Sequence, residues 1–145
     1  MKNFFISRRT VLLALLTAAS FTACKKETEP AAPDKATQVA GNYTYTELTM
    51  GGKTYPASQT NIKGSIEVTK HTASTVNMDF NIRAKADNSE FLVGNVGDVE
   101  LTDAGGGAIG LRVDSDEVGQ VKGDKMTIKG EDEDGTAFTI IATKN

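Results

Sequence analysis

From Val39 to the C-terminus, apolar and polar residues alternate with a period of two. The cleanest stretch is 75–84, where Val76, Met78, Phe80 and Ile82 share one face and Asn77, Asp79, Asn81 and Arg83 share the other. Successive side chains of an extended chain point to opposite sides. Strict alternation over this length therefore predicts a strand buried on one face, the habit of antiparallel sheets. Ile66/Val68, Val99/Leu101, Ile109/Leu111/Val113, Met126/Ile128 and Phe138/Ile140 repeat the pattern. Beyond residue 24, no window places apolar residues at i, i+3, i+4 and i+7 for long enough to predict a helix.

Turn residues separate these runs. Gly51-Gly52 and Gly123-Asp124 read as two-residue hairpin loops, where glycine supplies the positive φ that such turns need. Asp134-Gly135 is predicted to close another hairpin, and Asp87-Asn88, Gly94-Asn95 and Gly105-Gly106-Gly107 read as further reversals. Short strands joined mostly by tight turns place sequence neighbours side by side in space. The predicted fold is all-β, an antiparallel up-and-down meander of about eight strands that removes its edges by closing into a barrel. A two-sheet β-sandwich is the alternative, because alternation does not say whether the first and last strands meet.

The N-terminus breaks the pattern. Lys2, Arg8 and Arg9 precede a mostly apolar run from Val11 to Phe21, and small residues end it at Thr22-Ala23-Cys24. A cationic start, a short apolar run and a small-residue end predict a secretory signal peptide over residues 1–23. The run is shorter than the roughly 20 residues a membrane span needs. Thr22-Ala23-Cys24 resembles the end of a bacterial lipobox, with Phe21 where that motif usually has leucine. The resemblance implies that Cys24, the one cysteine in the chain, is acylated and becomes the mature N-terminus, a lipid anchor. A plain leader cut near Ala19 would instead leave that thiol without a disulfide partner. Ser7-Arg8-Arg9-Thr10-Val11-Leu12 also resembles a twin-arginine export motif, with an ordinary cationic leader start as the simpler reading.

Charge and composition narrow the partners. Without Lys2, Arg8 and Arg9, 13 basic residues face 19 acidic ones, a net charge of −6. That balance disfavours nucleic acid, which calls for a basic face. Residues 24–38 are polar, contain two prolines and carry no periodicity, so they read as a lipidated flexible tether ahead of a single domain over residues 39–145. Lys25 stands where an aspartate would resemble an inner-membrane retention signal, which favours the outer membrane, on its periplasmic or cell-surface face.

Val39-Ala40-Gly41-Asn42-Tyr43-Thr44-Tyr45 resembles the Gly-x-Trp/Tyr opening of lipocalin-like and bacterial calycin-like barrels. The segments Gly94-Asn95-Val96-Gly97-Asp98-Val99-Glu100-Leu101 and Lys122-Gly123-Asp124-Lys125-Met126-Thr127-Ile128 are similar to interior and late strands of calycin-like lipoproteins. The chain has no tryptophan, so the resemblance puts Tyr43 at the position of the tryptophan that plugs one end of many lipocalins. It implies non-catalytic binding of a small apolar ligand.

Three groups of residues are candidates for chemistry. His71, the only histidine, lies in a turn near Ser74, but no nucleophile elbow surrounds that serine, so no catalytic residue is expected and the chain reads as a non-enzyme. Asp114, Asp116 and Glu117, with Asp132 and Asp134, form two acidic turns expected on one rim; they are weak Ca²⁺ candidates, against the simpler reading of solvated hairpin turns. No cofactor motif is present. Alternation points Tyr43, Met78, Phe80, Leu111, Val113, Phe138 and Ile140 inward, where a barrel of about eight strands has room for its own side chains or one small ligand. Short strands and tight turns favour a packed interior, so the alternative function is a solid-core structural or protein/glycan-interaction module of the outer membrane. No particular protein partner is indicated.

Overall fold

The computed structural model describes residues 32–132 and 134–145, of which residues 33–145 form one compact unit. The leader at 1–23, the twin-arginine motif, Cys24 and the first part of the expected tether lie outside the described residues.

The first and last barrel strands do meet. The strands are β1 (Gly41–Met50), β2 (Lys53–Pro56), β3 (Ile62–Lys70), β4 (Thr75–Ala84), β5 (Glu90–Gly105), β6 (Ala108–Val113), β7 (Asp116–Lys122), β8 (Lys125–Glu131) and β9 (Ala137–Lys144). Each strand from β3 onward pairs antiparallel with the next, and β1 pairs with both β3 and β9. The register of β1 on β9 runs from Tyr43↔Lys144 to Met50↔Phe138, with a bulge at Thr46. The result is an eight-stranded closed antiparallel barrel with β2 as an extra strand, not a sandwich.

The eighth seam is short. β1 pairs with β3 only from Gly41↔Val68 to Thr44↔Ser65, and its second half pairs with β2 instead. β3 bends away at Gly64, and the gap is filled by β2 and a 3-10 turn at Ala57–Gln59. Tyr45, buried at this corner, shares a 2.9 Å hydrogen bond with Thr60. Gly94-Asn95, read from sequence as a reversal, lies inside β5. That strand is 16 residues long and turns its direction by a bulge at Gly97-Asp98, not by a hairpin.

A short α-helix, α1 (Lys35–Val39), is a feature that the pattern did not predict. Residues 34–38, assigned from sequence to the tether, therefore belong to the folded unit. At five residues the helix is too short to show periodicity, and it forms because its ends are satisfied. Asp34 caps it, accepting from the Thr37 amide at 2.8 Å, and Lys70 of β3 donates to Asp34 at 2.6 Å and to Thr37 at 3.1 Å. The Lys70 hydrogen bond, followed by the Thr37 amide, holds the Asp34 carboxyl down at about 2. Ala36 and Val39 are fully buried, and Tyr43 donates from its hydroxyl to the Val39 carbonyl at 2.6 Å. Lys144 donates to the Gln38 carbonyl at 2.9 Å and lies 5.7 Å from the centre of the Tyr43 ring. α1 thus stoppers the end of the barrel where β1 begins, and Tyr43 occupies the position beneath the stopper.

The core follows the alternation. Tyr43, Ile66, Met78, Ile82, Leu111, Met126 and Ile140 are its largest fully buried side chains, and among the described residues no charged side chain is buried.

Candidate functional site

The opposite end of the barrel is built differently. There β1 finishes, and the connections β4–β5, β6–β7 and β8–β9 gather. Two ladders stop short of it. β5 pairs with β6 only from Glu100 to Gly105, and β7 pairs with β8 only from Gly119↔Ile128 to Lys122↔Lys125. The tip of the β6–β7 hairpin is therefore flanked by unpaired strand on both sides. Its turn residues Asp114 and Ser115 both take positive φ, at 49° and 77°.

Inside this end lies a cavity of ≈ 420 Å³. Its back wall is Met78 and Phe80 of β4, facing Val96 and Gly94 of β5 in register. Gly94 is the reason for the space: it stands opposite Phe80, and a Cβ built on it would meet nothing within 4 Å. Val113, Val118 and Ile128 supply further apolar wall. Phe138 of β9 completes it, the far end of its ring lying over Gly130, whose missing side chain leaves the room; a Cβ there would be 2.6 Å from the ring. Phe91 of β5 meets Phe138 with ring centres 5.4 Å apart and planes at 51°. β5 and β9 stand on opposite walls, so this aromatic pair spans the interior.

The seven residues expected to point inward divide between two roles. Met78, Phe80, Val113 and Phe138 line the cavity. Tyr43, Leu111 and Ile140 do point inward, but they are fully buried in the packed half and contribute nothing to the cavity wall. Alternation identifies the inward face along the whole strand, but it does not say where along the axis packing gives way to space. Gly94 and Gly130 escape the alternation because a glycine at an inward position reads as a turn or a weak strand.

Among the lining residues Lys129 is the one charged group, and Asn95 the one amide. Asn95 is engaged on the outer surface, donating to Asp79 at 2.9 Å. Lys129 donates to Glu117 at 2.7 Å, across the point where β7 and β8 have parted. That hydrogen bond and the lysine's charge lower the Glu117 carboxyl below its ordinary value.

The acidic turns do lie together at the open end, but they do not converge. Glu117 is committed to Lys129, and Asp132 accepts from the amides of Asp134 and Thr136 at 3.1 and 2.7 Å, shaping its own turn. Asp114 and Asp116 sit on the neighbouring hairpin. Among the described residues no three acidic, histidine or cysteine side chains come close enough to hold a metal ion.

His71 is at the other end, in the β3–β4 connection near α1. Its Nδ1 lies 2.6 Å from Asp98 Oδ1, and both side chains are more than half exposed. Asp98 occupies the β5 bulge with φ of 53°. The Ser74 amide is taken by Thr72 at 3.2 Å, as the backbone of the turn requires. The Asp98 contact ties the His71 side chain to the β5 bulge. Arg83 and Arg112 reach back to Asn88 and Ser115 in adjacent turns, away from the cavity.

No family model matches the chain, and no curated protein does. Among solved structures, a de novo designed fluorescence-activating β-barrel is similar over 77% of this chain and 98% of its own, at 13% identity and a TM-score of 0.46.

Proposed function

We propose that this chain is a calycin-like envelope lipoprotein, exported by its leader, anchored to the outer membrane through acylated Cys24, and holding a small apolar ligand in its barrel without catalysing a reaction. One observation carries the binding part: a cavity of ≈ 420 Å³ with a mainly apolar wall, made by glycine at an inward position, Gly94. Small-molecule sites fall in a range of roughly 300–1,000 Å³ and are lined mainly by apolar and aromatic side chains. A protein that needed only a scaffold gains about 1 kcal/mol for each methyl-sized void it fills, so an unfilled chamber is a cost that binding explains.

Filling the chamber tests this. Val96→Phe places a ring in the cavity beside Met78 and Phe80. Native mass spectrometry of the protein from its own cells should show a co-purifying small molecule on the wild type and none on the variant, with an unchanged or higher melting temperature. Wild-type protein that carries nothing and takes up no apolar probe would leave the solid-core interaction module as the reading.

The anchor rests on the sequence of residues 1–24. Two or more acyl chains hold a protein stably at a bilayer, at about 0.8 kcal/mol per buried methylene, whereas one chain holds it only marginally. Labelling cells with a clickable fatty acid should mark the wild type, and Cys24→Ser should abolish the mark and release the protein from the membrane fraction. Label retained by Cys24→Ser would overturn the assignment.

A further inference from the structure

Lys129 is in an unusual position for a cavity residue. Its neighbours Ile128 and Gly130 face the interior, so Lys129 belongs to the outer register of β8. It lines the cavity all the same, because the β7–β8 ladder ends at Gly119↔Ile128, one residue before it. A shallower depression on the outer side of this seam, lined by Asp116, Glu131 and Thr139, shares Val118, Lys129, Gly130 and Phe138 with the chamber. At this seam the apolar interior therefore meets solvent beside the ion pair of Lys129 with Glu117 at 2.7 Å.

We propose that Lys129 is the head-group site of this barrel, exchanging Glu117 for the anionic head of an amphiphile whose alkyl chain fills the cavity. The inference rests on the barrel being a binding protein and adds the class of ligand. Three features support it. The chain of such a ligand leaves water for an apolar wall, which is where the driving force comes from. Its head stays at a seam where the lysine is 58% and the glutamate 53% exposed, so no charge has to be buried. An exposed ion pair is weakly held, so its lysine can change partners at little cost. A cationic head would meet Lys129 directly, and a neutral head would leave the ion pair intact and gain nothing from it.

Calorimetric titration of the full chain with decanoate, decanol and decyltrimethylammonium tests the assignment. It is done at physiological ionic strength, which screens the rim carboxylates. Decanoate should bind about two- to fivefold tighter than decanol, the size of an exposed charge contact, and the cation should bind most weakly. In Lys129→Gln the two affinities should converge on the decanol value, with decanol itself unchanged. In Glu117→Gln, with the internal competitor gone, decanoate should gain about twofold or more. Equal binding of decanoate and decanol to the wild type, or a preference that survives Lys129→Gln, would overturn the head-group site and leave the cavity reading standing. Failure of all three to bind, with Val96→Phe giving the same blank titration, would overturn the cavity reading and this inference with it.

Discussion

Gly64→Ala is expected to lose about 4 kcal/mol or more of folding stability, a large part of the roughly 5–15 kcal/mol that a domain has. Gly64 lies opposite Ile82 at the point where β3 bends away from β1. Its φ is +147°, a conformation that L side chains rarely adopt. A Cβ there would overlap the Asn81 carbonyl oxygen and stand 2.7 Å from the Ile82 Cα. Both obstacles are backbone of the central β3–β4 ladder, so neither can rotate aside. Backbone strain and overpacking each cost about 1–3 kcal/mol, and here they add at one atom. Gly51→Ala is the control. Gly51 also has positive φ, at +58°, but a Cβ there meets nothing within 4 Å, so about 1 kcal/mol is expected. Urea denaturation of both variants measures the difference. Similar midpoints for the two would show that β3 and β4 do not approach so closely at this bend.

That bend also marks how far the sequence can be read. The alternation in Thr75–Ala84 gives the strand and its inward face without ambiguity, because every residue repeats the same message. The β1–β9 seam is not legible, since it joins residues about a hundred positions apart and neither strand's pattern names its partner. Gly94-Asn95 misleads for a physical reason. A glycine with positive φ serves equally for a reversal and for a kinked strand, and only the register against Phe80 and Asp79 distinguishes them. α1 leaves one trace in the sequence, Asp34 three residues before Thr37, which is a capping spacing too common to predict a helix by itself. The candidate site was half legible. Met78, Phe80, Val113 and Phe138 follow from alternation, whereas the cavity they line depends on where two ladders end and on two glycines facing in.

Tyr43→Ala is expected to cost about 3–5 kcal/mol and to release α1 from the barrel, whereas Tyr43→Phe should cost only about 1–2 kcal/mol. The two variants separate the work of the ring from that of its hydroxyl. The ring is fully buried in β1 at the position that pairs with Ile66 on one side and Lys144 on the other, so its removal leaves a void at the junction of both closing seams. The hydroxyl satisfies the Val39 carbonyl at the end of α1, and phenylalanine leaves that acceptor unpaired. Alkali reports the same contact. Burial first, and the nearby Asp124 charge second, push the Tyr43 phenol up from 10.0 to about 12. The native state then holds this proton more tightly than the unfolded chain does. The corresponding stability is fully present below pH 10 and is lost as the pH rises towards about 12. Tyr43→Phe has no proton to lose there, so its deficit relative to the wild type should shrink across that interval. Tyr45, whose phenol burial also raises, titrates in both proteins and cancels in the comparison. Urea midpoints at neutral and alkaline pH, with the methyl NMR signals of Ala36 and Val39 as reporters of helix docking, provide the measurement. A Tyr43→Ala protein no weaker than Tyr43→Phe, with those signals unmoved, would mean that the stopper holds without the ring beneath it.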